Sequence, residues 1–155
     1  MRYLGDHARR LPASGLLFPL AVRLPGHEAT VRTILSVDEA EQSMTFAGDV
    51  PEGAHARLMK SNLDRLIDGA TRAAQVCRSE AAGARAEFAL LISCVGRRLV
   101  LRQRADEELE AVHEVFEGRP ALAGFYSYGE LAPFTPAGPC RLHNQTMTIT
   151  VFSEA

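Results

Sequence analysis

Two rhythms of apolar residues run along the chain, one of period two and one of three to four, and between them they assign most of the elements. Residues 16–24 are apolar enough for a strand, but Pro19 cannot donate to a ladder, so an edge or bent strand is expected. After the Pro25-Gly26 turn, residues 30–37 alternate with Val31, Thr33, Leu35 and Val37 on one face. A polar link then leads to a short strand at 44–46, which predicts an antiparallel hairpin. Met59, Leu63, Leu66, Ala70, Ala73 and Cys77 recur at three and four, predicting one long helix over 55–79. Residues 81–84 read as a linker, and the unbroken apolar run 88–95 as a central strand buried on both faces. A helical turn at 98–103 precedes a helix at 106–116, whose core stripe is Leu109, Val112 and Phe116. Strands at 124–130 and 143–152 complete the order β-β-β-α-β-α-β-β, after a helical turn or two at 3–11. The fold class expected is α/β of the α+β type. It is a mixed, mostly antiparallel sheet of about five to six strands with two main helices.

The last strand draws the chemistry together. Met147, Ile149 and Val151 share one face, and the same parity carried backward reaches Gln145 and His143, with Asn144 opposite. Polar groups at the mouth of an apolar sheet are what a small-ligand site needs. The candidate ligand-binding set is therefore His143, Gln145, Asn144 and Cys140. Tyr126 and Tyr128, read as one strand face, join it with Ser127 and Glu130.

Other chemistries match these residues less well. The run Gly124 to Gly129 is one residue too long for a nucleophile elbow, and Ser127 sits inside an alternating strand. Ser127, Glu130 and His143 form a triad only on paper, so no catalytic set is assigned. Cys140 and His143 have a ligand-pair spacing, but a structural zinc needs four ligands and no second pair exists, so no metal is assigned. Arg97-Arg98 after Gly96 is read as a solvated turn, because positive side chains oppose the dipole at a helix start.

Composition narrows the function classes. At 155 residues a single domain, 1–155, is expected, with 46% hydrophobic and 23% charged residues. The net charge of -2 gives no reason to expect nucleic acid or an anionic membrane as partner. Lys60 is the sole lysine, so any Schiff-base chemistry would have to use it. Cys77, Cys94 and Cys140 are odd in number and widely spaced, and no export signal precedes them; reduced thiols in a cytoplasmic protein are expected.

The run GFYSYGE at 124–130, a loop with prolines and Cys140, and LHNQTMT at 142–148 resemble the C-terminal half of the FIST domain family, a family of F-box and intracellular signal-transduction proteins. The similarity extends upstream through 16–39, 46–62 and 90–101. The resemblance implies a sensory input module for small ligands such as amino acids, and not an enzyme. In this family a companion N-terminal domain normally precedes the matching half. Its absence here implies that such a domain, or a signalling partner, is supplied by another chain. It also implies self-association or an uncovered apolar patch near the Pro19 strand. Some relatives are haem-based sensors; here haem would need His143, His113 or His27 as an exposed ligand. A hydrolase using Ser127 or Cys140 is the third reading.

Overall fold

The computed structural model describes residues 3–81, 85–135 and 137–154. The chain divides into two compact units, Met1–Ser61 and Asn62–Ala155.

The first unit opens with two 3-10 turns, Gly5–Arg10 and Ala13–Leu17. Five strands follow: β1 (Leu20–Arg23), β2 (Thr30–Arg32), β3 (Ile34–Asp38), β4 (Ser43–Phe46) and β5 (His55–Leu58). They form an antiparallel sheet of order β2-β1-β5 and the expected β3-β4 hairpin. The reading of residues 16–24 as an edge strand is corrected, since β1 is the central strand. Pro19 lies just outside it and needs no ladder donor, while its carbonyl accepts from the Met59 amide at 2.8 Å. Within 30–37 the phase also differs. A register shift between Ile34 and Ser36 leaves Leu35 54% exposed and buries Ile34.

The predicted helix over 55–79 is two elements. Residues 55–58 are β5, paired with β1 from Leu20↔Leu58 to Arg23↔His55. The helix α1 (Leu63–Glu80) starts only at Asn62, whose side-chain oxygen accepts from the Arg65 amide at 3.0 Å. Ala70 and Ala74 are its fully buried positions, so the stripe is turned by one residue from Ala73. Of the predicted linker, Ala81 caps α1 and residues 82–84 lie outside the described residues.

The second unit continues with β6 (Phe88–Cys94), α2 (Val95–Leu101), a 3-10 turn at Arg102–Arg104 and α3 (Asp106–Val115). Then come β7 (Ala121–Ser127), β8 (Glu130–Pro133), β9 (Cys140–His143) and β10 (Met147–Phe152). β6 is central in a sheet of order β10-β6-β7, antiparallel to β10 and parallel to β7 across the α2–α3 crossover. A Cβ built on Gly124 of β7 would stand 1.9 Å from the Leu91 carbonyl oxygen, so only glycine permits this approach of the two strands. Ala89, Leu91 and Met147 pack with Ala70 and Ala74 of α1 and with Val112 and Phe116 into one core. Burial on both faces of β6 is corrected: Phe88, Leu90 and Ile92, on the face away from this core, are half-buried. On that face Phe125 and Phe152 are 58% and 51% exposed.

The class is thus mixed α/β with mostly antiparallel pairing, as expected. The strand and helix counts are corrected, because the described residues hold ten short strands in four sheets and three α-helices. Alternation alone cannot show that a run of alternating residues is interrupted and paired twice.

Candidate functional site

The end of the sheet is built by a break in the chain that the residue pattern hides. Alternation predicts one strand from 143 to 152, yet β9 stops at His143 and β10 begins at Met147. Between them Gln145 adopts φ 54°, in the left-handed region, and the face assignment carried back from Met147 does not survive it. His143, Asn144 and Gln145 are all buried. Asn144 donates to the His143 carbonyl oxygen at 3.1 Å, a backbone brace. The His143 Nε2 meets the Ala132 carbonyl oxygen across the β8-β9 hairpin at 3.0 Å, and Phe134 stacks on its ring.

Two buried carboxyl groups hold this turn in place. Glu130 accepts the Ser127 hydroxyl at 2.6 Å and the Thr146 hydroxyl at 2.7 Å, tying the end of β7 to the start of β10. Burial pushes the Cys94 thiol up, and Glu130 beside it adds to the shift. The second is Glu108, paired with Arg97 at 3.0 Å with both side chains at least 95% buried. Arg97 also donates to the Leu66 carbonyl oxygen of α1 at 2.6 Å and to the Gln145 carbonyl oxygen at 3.3 Å. Burial pushes the Glu108 carboxyl up despite the neighbouring guanidinium, because desolvation outweighs the pairing here.

Between α1, the β8-β9 hairpin and the β10 edge lies a cleft of about 580 Å³. His143 and Gln145 line it, with Arg72 and Cys77 on the helix side, while Asn144 is not part of its wall. Arg72 is exposed and has no ion-pair partner among the described residues. Burial also pushes the Cys77 thiol up.

The other candidates are dispersed. Tyr128 is not on a strand face with Tyr126; it lies in the turn after β7 and is 88% exposed. Tyr126 sits under the Arg98 guanidinium at 5.0 Å. Cys140 and His143 stand three apart on β9, hence on opposite faces, and Cys140 is exposed while His143 is buried. They are not neighbours at a ligand mouth. The triad drawn from Ser127, Glu130 and His143 does not form, since Ser127 donates to the carboxylate and the imidazole is engaged with Ala132. Among the described residues no three of His, Cys, Asp and Glu converge on a metal-sized position.

Arg97 and Glu108 were missed as site residues. Arg97, read as solvated, is 4% exposed, and α3 buries Glu108 where Leu109 was expected, leaving Leu109 43% exposed. The signal was available: Glu108, Val112 and Phe116 recur at four, which puts a carboxylate on the core stripe.

The family model of the FIST C domain matches residues 1–133, most of the chain, and the chain belongs to that family. The matched stretch holds Arg72, Arg97, Glu108, Ser127 and Glu130 and ends before Cys140, His143, Asn144 and Gln145. No match was found among the curated proteins or the solved structures. No helix among the described residues is long and apolar enough to cross a membrane.

Proposed function

We propose that the protein is a sensory input domain that binds a small polar ligand bearing a carboxylate, the amino acids being the class that best fits. The observation that carries this reading is the cleft itself, with Arg72, which has no ion-pair partner among the described residues, at a wall shared with His143 and Gln145. Arginine offers two parallel donors to a carboxylate, and the buried His143 and Gln145 side chains form part of the same wall. The ligand acts by population shift, favouring one arrangement of α1 against the β8-β9 hairpin and so changing what a partner chain meets. It is a binding event and not a reaction, with Glu130 and Glu108 as structural anchors. Haem receives less support than a small polar ligand. His143 is 4% exposed and its Nε2 is engaged, whereas an axial ligand must present that nitrogen to iron.

The test is a thermal-shift screen with free amino acids and related carboxylates, followed by calorimetry on any hit. Arg72→Ala is expected to weaken the hit roughly 5- to 150-fold with little change in melting temperature, since Arg72 is exposed. The amide derivative of the same compound is expected to lose a similar factor. Equal binding by Arg72→Ala and the parent would place the carboxylate elsewhere and sink the assignment.

A further inference from the structure

β10 is an edge strand of its sheet, and the cleft meets that edge. Thr146, Met147, Thr148 and Ile149 all line it, although neighbours along an extended chain send their side chains to opposite faces. A cavity touches four such residues in a row only when it lies edge-on to the strand. The main-chain parity agrees. The Thr146 carbonyl oxygen accepts from the Cys94 amide at 3.0 Å and that of Phe152 from the Glu87 amide at 2.9 Å, so the even-numbered positions face β6. Met147 and Ile149 then turn their N–H and C=O groups to the open side, where the Cys77 thiol donates to the Ile149 carbonyl oxygen at 3.6 Å. Groups placed in this way bind an extended chain by adding it as a further strand.

Size and charge narrow what that chain is. The cleft, about 580 Å³, is roughly four times the 150 Å³ or so that encloses benzene, which has as many heavy atoms as alanine. A single amino acid fills a fraction of it, and a chain of amino acids fills more. Two opposite charges of α1 stand on its wall, Arg72 and Glu80, and neither has an ion-pair partner among the described residues. Their helix positions are about 12 Å apart along the axis, and an extended chain of three residues spans about 10 Å. The polarity is set as well. Arg97 donates to the Leu66 and Gln145 carbonyl oxygens and Cys77 to that of Ile149, so α1 and β10 run the same way. Glu80 ends α1, at the negative end of its dipole, which favours a cation there. We infer that the cleft takes a peptide of about three residues, extended and antiparallel along the β10 edge, its carboxylate on Arg72 and its ammonium toward Glu80. This rests on the reading of the cleft as a carboxylate site and names the ligand class within it.

The experiment is a titration of the full-length ¹⁵N-labelled protein, and of its Arg72→Ala and Glu80→Gln variants, with trialanine, N-acetyl-trialanine and L-alanine. Trialanine is expected to bind about tenfold more tightly than L-alanine through its added main-chain bonds. N-acetylation is expected to weaken it about two- to fivefold in the parent and not at all in Glu80→Gln. At saturation, hydrogen exchange of the Met147 and Ile149 amides is expected to slow about tenfold relative to that of Thr148, which already faces β6. Unchanged exchange at Met147 and Ile149 would overturn the strand pairing. An equal loss on N-acetylation in the parent and Glu80→Gln would overturn the ammonium assignment. If trialanine and L-alanine bind equally and Arg72→Ala weakens both, the peptide falls while the carboxylate site stands. If Arg72→Ala binds both as tightly as the parent, or neither compound binds, the carboxylate site falls with it.

Discussion

At Glu108 two forces oppose each other. The Arg97 guanidinium favours the carboxylate, burial favours the neutral acid, and burial prevails, so the folded chain holds this proton more tightly than the unfolded one. Between the ordinary carboxylate range and the raised folded value, the folded state therefore carries the extra proton. Its stability must fall as pH rises through that window. Below the ordinary range both states are protonated and the contribution is flat. Other carboxylates act in the opposite sense. Glu107, beside Arg104, and Glu117, beside Arg78, lie below their usual range and lose their contribution as pH falls. The clean measurement is thus a difference: melting temperatures of the parent and of Glu108→Gln from about pH 4 to about pH 7. The parent's advantage is expected to be largest at the acid end and to shrink with rising pH, and a constant difference would mean that Glu108 is not perturbed. At this scale the sequence was legible where a residue's type matched its surroundings, as with Cys94, expected to be buried and found so. It was misleading where a charge was buried. Arg97 and Glu108 are each unremarkable alone, and only the pairing of α2 with α3 makes their burial tolerable.

Elements were legible when their ends were marked and obscure when a backbone conformation marked them. α3 and the β3-β4 hairpin stand close to where periodicity put them. The start of α1 was missed because residues 55–58 continue an acceptable helical pattern, while their pairing to β1 is a long-range choice that no local pattern reports. The marker was Asn62, whose side chain caps the helix. Asn62→Ala is expected to cost about 1 kcal/mol in chemical denaturation and Asn62→Gly only a few tenths. The same loss for both substitutions would show that the side-chain bond is not what starts the helix there. The β9–β10 break is the harder case. A single left-handed residue, Gln145, inverts which side chains share a face, and glutamine gives no warning of it as glycine would. His143 and Gln145 nevertheless line one cleft, because the turn and not a common strand face aims them there.

For the whole molecule, the distribution of the core decides what can stand alone. Every residue of the main hydrophobic cluster belongs to the second unit: Ala70, Ala74, Ala89, Leu91, Val112, Phe116 and Met147. The family match ends at residue 133, yet this core does not. Met147 is in it, Ile149 and Val151 pack against it, and β10 supplies the antiparallel neighbour of β6 from Phe88 to Ser93. Burying side chains of this size contributes about 1.5–3 kcal/mol each at full burial, so the three amount to several kcal/mol. That is comparable to the whole stability of a small domain, about 5–15 kcal/mol. Removing β10 also leaves the ladder groups of β6 unpaired on that side, and it deletes Thr146, one of the two hydroxyls on buried Glu130. A fragment of residues 62–155 is therefore expected to melt in one cooperative transition with dispersed methyl resonances. A fragment of residues 62–133, though it lies wholly within the family match, is expected to show neither. Calorimetry and one-dimensional NMR on the two fragments decide it. A cooperative melt from 62–133 would show that β10 is an accessory strand and not part of the core.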